Sequence, residues 1–207
     1  MERMDQQLRF LKEIDRLKSV LRQSPLLDSS RRENSAEHSW HLAMMAVTLG
    51  EYAPRGTNMG HVITMVLLHD IVEIDAGDTF LYAADAAHAR AHQAEHAAAD
   101  RIFALLPADQ AGRLRAVWDE FEERRTPAAR FARALDRLQP VLANYHTDGG
   151  TWRAHGVTAD QVLDKVRLIE DGSPALGGYA RELIAAAIEK GFLAPCRQDR
   201  QGADRTP

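Results

Sequence analysis

Apolar residues in this chain recur three and four positions apart, and no segment alternates apolar with polar as a half-buried strand does. Leu8, Leu11, Ile14, Leu17 and Leu21 lay one apolar stripe along the first segment, which predicts a helix with a single buried face. Asn34, with Glu37 three residues on, has the form of a capping box and predicts a second helix over 35–52. That segment is apolar nearly all round, through Trp40, Leu42, Met44, Met45, Val47 and Leu49, so it is expected in the middle of a bundle. Further helices are expected over 61–71, 85–106, 108–124, from Pro127 onward, over 158–170 and over 174–191, punctuated by Pro107, Thr126 and the Gly149-Gly150 pair. The chain gives no strand signal and no internal repeat, so the fold class is all-α.

At 207 residues the chain is long enough for one sizeable core, expected over 1–195 with a polar tail over 196–207. A net charge of −4 with no block of Lys or Arg makes polymeric nucleic acid a poor partner and a small ligand the better one. No run approaches the ~18 apolar residues of a membrane span, and the N-terminus lacks an apolar leader, so a cytoplasmic protein without a membrane partner is expected. Cys196 is the single cysteine, which excludes a disulfide framework or an all-cysteine metal site.

The stretch LLHDIVEIDAGD at 67–78 departs from this pattern, because an apolar run ends in a histidine and then four carboxylates. Metal-type ligands sit on three expected helices: His38 opening the second, His69 and Asp70 closing the third, and Asp136 within FARALDRLQP. Asp136 lies among Phe131, Leu135 and Leu138, where an isolated charge would be heavily penalised. Either coordination or an ion pair with Arg133 or Arg137 would relieve that penalty.

In their order, EHSW at 37–40, LLHDIVE at 67–73, Gly77-Asp78 and LDRLQ at 135–139 resemble the HD-domain phosphohydrolases. The flanks RRENSAEHSW, HDIVEIDAGD, ADRIFALLPADQ and VWDEFEERRTPAARFARALDRLQ are most similar to the 5′-deoxynucleotidase branch, over about residues 8–145. The resemblance implies an HD-domain helical bundle with His38, His69, Asp70 and Asp136 holding one divalent metal ion. Such a nitrogen and oxygen set suits Mn, Co, Fe, Ni, Zn or Mg without choosing among them. It also implies Glu73 as the base or water-positioning group and Asp78 as its helper or as proton donor to the leaving oxygen. The implied substrate is a (deoxy)nucleoside 5′-monophosphate. Phosphate monoesters are dianions, and Arg22, Arg31 and Arg32 precede His38. Arg22 matches the branch's substrate-contacting arginine if one residue is inserted, and Arg32 is the alternative.

Other readings stay open at this stage. The enzyme alternative acts on another small phosphate, such as a nucleoside triphosphate or an alarmone. A sensor would bind nucleotide without turnover, and a plain helical interaction protein would need none of these groups. His88, His92 and His96 repeat every four residues, which reads as a partly solvated histidine face or as ligands of a second ion. His41 reads as a core histidine, Asp75 as a turn former, and Trp118 and Trp152 as core aromatics. Apolar helical surfaces and the resemblance to dimeric relatives leave a homodimer open.

Overall fold

The computed structural model describes residues 1–196; all but the first residue of the expected tail lies outside the described residues. Among the described residues ten α-helices carry the fold: α1 (Glu2–Ile14), α2 (Ser35–Leu49), α3 (Met59–Leu68), α4 (Glu73–Ala76), α5 (Asp85–Phe103), α6 (Ala108–Glu123), α7 (Pro127–His146), α8 (Gly150–Ala154), α9 (Ala159–Gly172) and α10 (Pro174–Glu189). The starts expected from capping residues are observed: the Asn34–Glu37 box opens α2, and the Thr126 side chain accepts from the Ala129 amide at α7, with Pro127 at the first helical position.

Helix α7 is the axis of the larger core. Its Phe131, Leu135 and Leu138 pack with Leu42 of α2, Met65 of α3, Val166 of α9 and Ile184 of α10. Gly172 allows α9 to close on α7, since a Cβ there would fall 2.2 Å from the Arg130 carbonyl oxygen. A smaller core gathers Phe10, Leu17, Ile102, Phe103 and Trp118 with Ile71 and Val72. The segment from Met65 to Val72 runs from one core to the other, so His69 and Asp70 stand at the seam between them.

Three expectations are corrected. A two-stranded antiparallel sheet exists, β1 (Leu21–Pro25) with β2 (Arg32–Asn34), in which Leu21 faces Asn34 and Pro25 faces Arg32. Its strands, RQS and REN at their centres, carry no β-branched alternation; backbone pairing across a short loop forms them, which side-chain periodicity does not report. The stripe of the first helix faces outward at Leu8 and Leu11, while Phe10 and Leu17 are buried. Helix α2 lies at the edge of the bundle: its His38, Leu42, Met45 and Ala46 are buried, but Trp40 and Val47 are 64% and 62% exposed. Its apolar residues exceed what one packed face can cover.

Candidate metal centre

His38, His69 and Asp136 converge, with ligand atoms within 4.8 Å of one another and all three side chains buried. Each arrives for a local reason. His38 sits in the first turn of α2, fixed by the Asn34–Glu37 box. His69 caps the end of α3, where its Nδ1–H donates to the Val66 carbonyl at 2.8 Å. That bond sets the tautomer and turns Nε2 toward the centre, where it has no hydrogen-bond partner. Trp118 Nε1–H donates to the His69 carbonyl at 3.1 Å and pins the backbone from the other side. Asp136 comes from the middle of α7, one turn before Pro140, whose missing N–H leaves the Asp136 carbonyl without its usual helical donor.

The donor set fits a divalent ion. His38 Nε2 is 3.1 Å from Asp136 Oδ1, and its Nδ1, buried without a hydrogen bond, faces Glu33 Oε2 at 3.6 Å. A carboxylate behind an imidazole and a carbonyl behind another are the usual outer supports of metal-ligating histidines. Asp70 stands beside the trio, with Oδ1 2.9 Å from His69 Nε2 and Oδ2 accepting from Arg22 Nη1 at 2.8 Å. An ion at this point would be held by His38, His69 and Asp136, with the Asp70 carboxylate beside them as a fourth candidate ligand.

Glu73 begins α4, and Ser35 Oγ–H donates to its Oε2 at 2.6 Å. Burial first, then the neighbouring Asp70 and Asp78, push the Glu73 carboxyl well above the ordinary glutamate range, against the pull of Arg22. Asp78 is likewise raised by burial, with Arg22 opposing. Asp70 and Asp136 move the other way: burial disfavours their charge, but His69 and Arg22 at the first, and Arg137 with both histidines at the second, hold them below the usual aspartate range. Of the four carboxyl groups in one site, the two at the centre are thus favoured in their charged form and the two at its edge are made harder to ionise.

Arg22 is buried and central, 3.5 Å from Asp78 and 3.9 Å from Glu73 as well as bonded to Asp70. Arg32 instead donates to the Arg22 and Leu21 carbonyls along the hairpin and is outside the lining of either cavity near the site. Arg31 pairs with Glu37 at the surface. A cavity of about 240 Å³ opens over the centre, walled by Asp70, Glu73, Asp78 and Asp136 on one side and by His88, His92 and Glu95 of α5 on the other. His96, third in the histidine row, turns instead to Trp118, ring centroids 5.1 Å apart. Asp75 pairs with Arg101, and Trp152 is buried in the core.

Sequence reasoning missed Glu33, Ser35 and the support from Trp118. Glu33 is buried by the hairpin and receives Gln139 Nε2–H at 3.1 Å. Its signal was faint: a charged residue in a strand without strand character. Arg133 and Arg137 both reach Asp136 Oδ2, at 3.3 and 3.6 Å, so Asp136 is ion-paired while its other oxygen, Oδ1, faces His38 and His69.

Uptake of a divalent ion by the metal-free protein is expected to release protons and to tighten with rising pH. Burial alone would lower the His69 imidazole, but Asp70 and Asp136 overcome it and push it up to about 10 from 6.5. That imidazolium stabilises the metal-free fold fully below pH 6.5, and the contribution fades as pH rises toward about 10. A ligated imidazole must give up the proton. Calorimetric titration in buffers of different ionisation enthalpy counts it; ion uptake without proton release at neutral pH would contradict the assignment of His69.

A helical bundle that brings His, His-Asp and Asp from α2, the end of α3 and α7 into one buried centre defines a class of metal-site protein. The chain belongs to that class by descent as well: it is a member of the HD-domain family, whose defining pattern matches residues 14–176. A crystal structure described as a predicted metal-dependent phosphohydrolase from Magnetospirillum magnetotacticum MS-1 superposes with a TM-score of 0.89 at 53% identity, covering 94% of this chain and all of that one. A conserved hypothetical protein from Pyrococcus furiosus shares the fold at 16% identity and a TM-score of 0.59, over 88% of this chain and 99% of that one. Among curated relatives, the 5′-deoxynucleotidase HDDC2 of Danio rerio is 27% identical over 140 residues, 67% of this chain and 68% of the relative. The Homo sapiens protein of the same name is 28% identical over 136 residues, 65% of each. The chain thus spans about two thirds of the length of these relatives. Among the described residues no helix is long and apolar enough to cross a membrane.

Proposed function

We propose that this protein is a metal-dependent phosphomonoesterase that removes the 5′-phosphate of nucleoside 5′-monophosphates, the deoxy forms included. The observation that carries the reading is the convergence of His38, His69 and Asp136 beneath a cavity that also holds Glu73, Asp78 and Arg22. The names of the M. magnetotacticum and HDDC2 relatives support phosphohydrolysis and the nucleotide substrate respectively.

A divalent ion held by the two imidazoles and Asp136, with Asp70 beside them, supplies charge stabilisation at the phosphoryl group and a more acidic attacking water. Glu73 is assigned as the group that positions this water and takes its proton, with Ser35 Oγ fixing one of its oxygens. Asp78, raised by burial, is assigned to pass a proton to the leaving 5′ oxygen. Arg22 holds the Asp70, Glu73 and Asp78 carboxylates together and offers positive charge to the phosphate. Arg32, bound to the hairpin backbone, is assigned a supporting role through Arg22.

The reading is tested by phosphate release from the metal-stripped protein, re-supplied separately with Mn, Co, Mg and Zn, across ribo- and deoxynucleoside 5′-monophosphates. Metal-dependent release from the monophosphates is the expected result. Turnover confined to triphosphates or to other phosphorylated metabolites overturns the substrate; binding without turnover under every metal favours a nucleotide sensor.

A further inference from the structure

The cavity over the metal centre has a smaller neighbour of about 50 Å³, and Arg22, Asp78, Thr79, Leu81 and Arg137 line both. Of these five only Arg137 comes from α7, and it lines the junction together with residues of the hairpin and of the loop after α4. Three of the arginines that line the larger cavity, Arg22, Arg133 and Arg137, are not equally engaged. Arg22 is bonded to Asp70 and flanked by Asp78 and Glu73. Arg133 is bonded to Glu122 at 2.9 Å, reaches Asp136, and lies over the Phe121 ring at 3.9 Å. Arg137 has a single ion-pair partner among the described residues, Asp136 at 3.6 Å, and that oxygen is shared with Arg133. Its Nε is buried without a hydrogen-bond partner, as are those of Arg22 and Arg133, but of the three only Arg137 makes no hydrogen bond through its Nη groups to the described residues, and its side chain is 20% exposed.

We propose that Arg137 is a phosphate-binding residue of this site, presenting its Nη groups, which make no hydrogen bond in the free protein, to the anionic oxygens of the substrate at the junction of the two cavities. The inference rests on the phosphomonoesterase reading above and adds to it a residue that neither motif spacing nor the hairpin arginines supplied. A guanidinium offers five donors in a planar fork, and a buried donor left unpaired in the free protein is stabilised when a ligand oxygen reaches it. Coordination of Asp136 to a divalent ion draws its charge away from Arg137, which leaves the guanidinium still more in need of an anion. A lysine would restore the charge but not the fork.

The test compares Arg137→Gln, Arg137→Lys and Arg167→Gln, the last at a site 75% exposed that lines neither cavity, with the wild-type metal-loaded protein. Inorganic phosphate binding is measured by calorimetry, KM and kcat with the best nucleoside 5′-monophosphate, and metal content by elemental analysis. Arg137→Gln is expected to weaken phosphate binding and raise KM by at least about tenfold at unchanged metal content, the loss expected of one charge-assisted hydrogen bond. Arg137→Lys is expected to recover part of the loss, and Arg167→Gln to match wild type. Phosphate affinity in Arg137→Gln within twofold of wild type, or no phosphate binding by wild type, overturns the proposal. So does loss of metal or of the fold in Arg137→Gln with full phosphate binding in Arg137→Lys, because Arg137 then only braces Asp136. The two readings fail separately: phosphate binding that depends on Arg137 without monophosphate turnover sinks the nucleotidase, and turnover at wild-type KM in Arg137→Gln sinks the Arg137 site alone.

Discussion

His69→Ala is expected to yield a folded protein that retains no tightly bound divalent ion and releases phosphate only at background rate. The imidazole donates through Nδ1 to Val66 and leaves Nε2 buried and facing the Asp70 and Asp136 carboxylates at 2.9 and 3.7 Å. No other side chain can bring a nitrogen donor to that point from the end of α3. Loss of the ion removes several kcal/mol of stabilisation from the developing phosphoryl charge, so a fall of roughly a thousandfold or more is expected. The fold should survive, because the Met65–Val72 segment is anchored by Val66, Ile71 and Val72, all 2% exposed or less. Asp70→Ala and Asp136→Ala should behave alike. Elemental analysis beside phosphate release decides the matter: wild-type metal content in His69→Ala would remove this residue from the ligand set.

Glu73→Gln, and more bluntly Glu73→Ala, should keep the metal and lose the rate. Glu73 is a neighbour of the centre but outside the His38, His69 and Asp136 set, so ion affinity should change little. Its carboxylate is oriented by Ser35 and sits 3.9 Å from Arg22. Removal of a positioned base costs about 10²–10⁴-fold in rate, and the loss should appear in kcat with KM nearly unchanged. A variant with full metal and full kcat would take the base role from Glu73. Loss of metal together with rate would instead make Glu73 a ligand or a brace for Asp70.

Much of this site was readable before any fold was known, and the reasons are local. His69, Asp70 and Glu73 fall within five residues, and α2 opens where Asn34 and Glu37 say it should, which puts His38 in its first turn. Asp136 was conspicuous as an acid amid Phe131, Leu135 and Leu138. The hairpin was invisible because its backbone pairing leaves no side-chain period, and with it went the buried positions of Arg22 and Glu33. The histidine row on α5 illustrates the same limit. Spacing puts His88, His92 and His96 on one face, but only packing sends the first two to the cavity and the third to Trp118.

The chain by itself therefore determined the helical class, the helix starts marked by Asn34 and Thr126, and the residue types of the candidate metal centre, because caps, periodicity and the expense of buried charge act over a few neighbours. Tertiary structure alone decided which arginine is hydrogen-bonded to carboxylates and which is not, which carboxyls are made easier and which harder to ionise, and which apolar faces are covered. Those properties depend on burial and on charges brought together from residues about fifty to a hundred positions apart, such as Arg22 with Asp70 and His38 with Asp136, and no local pattern encodes such distances.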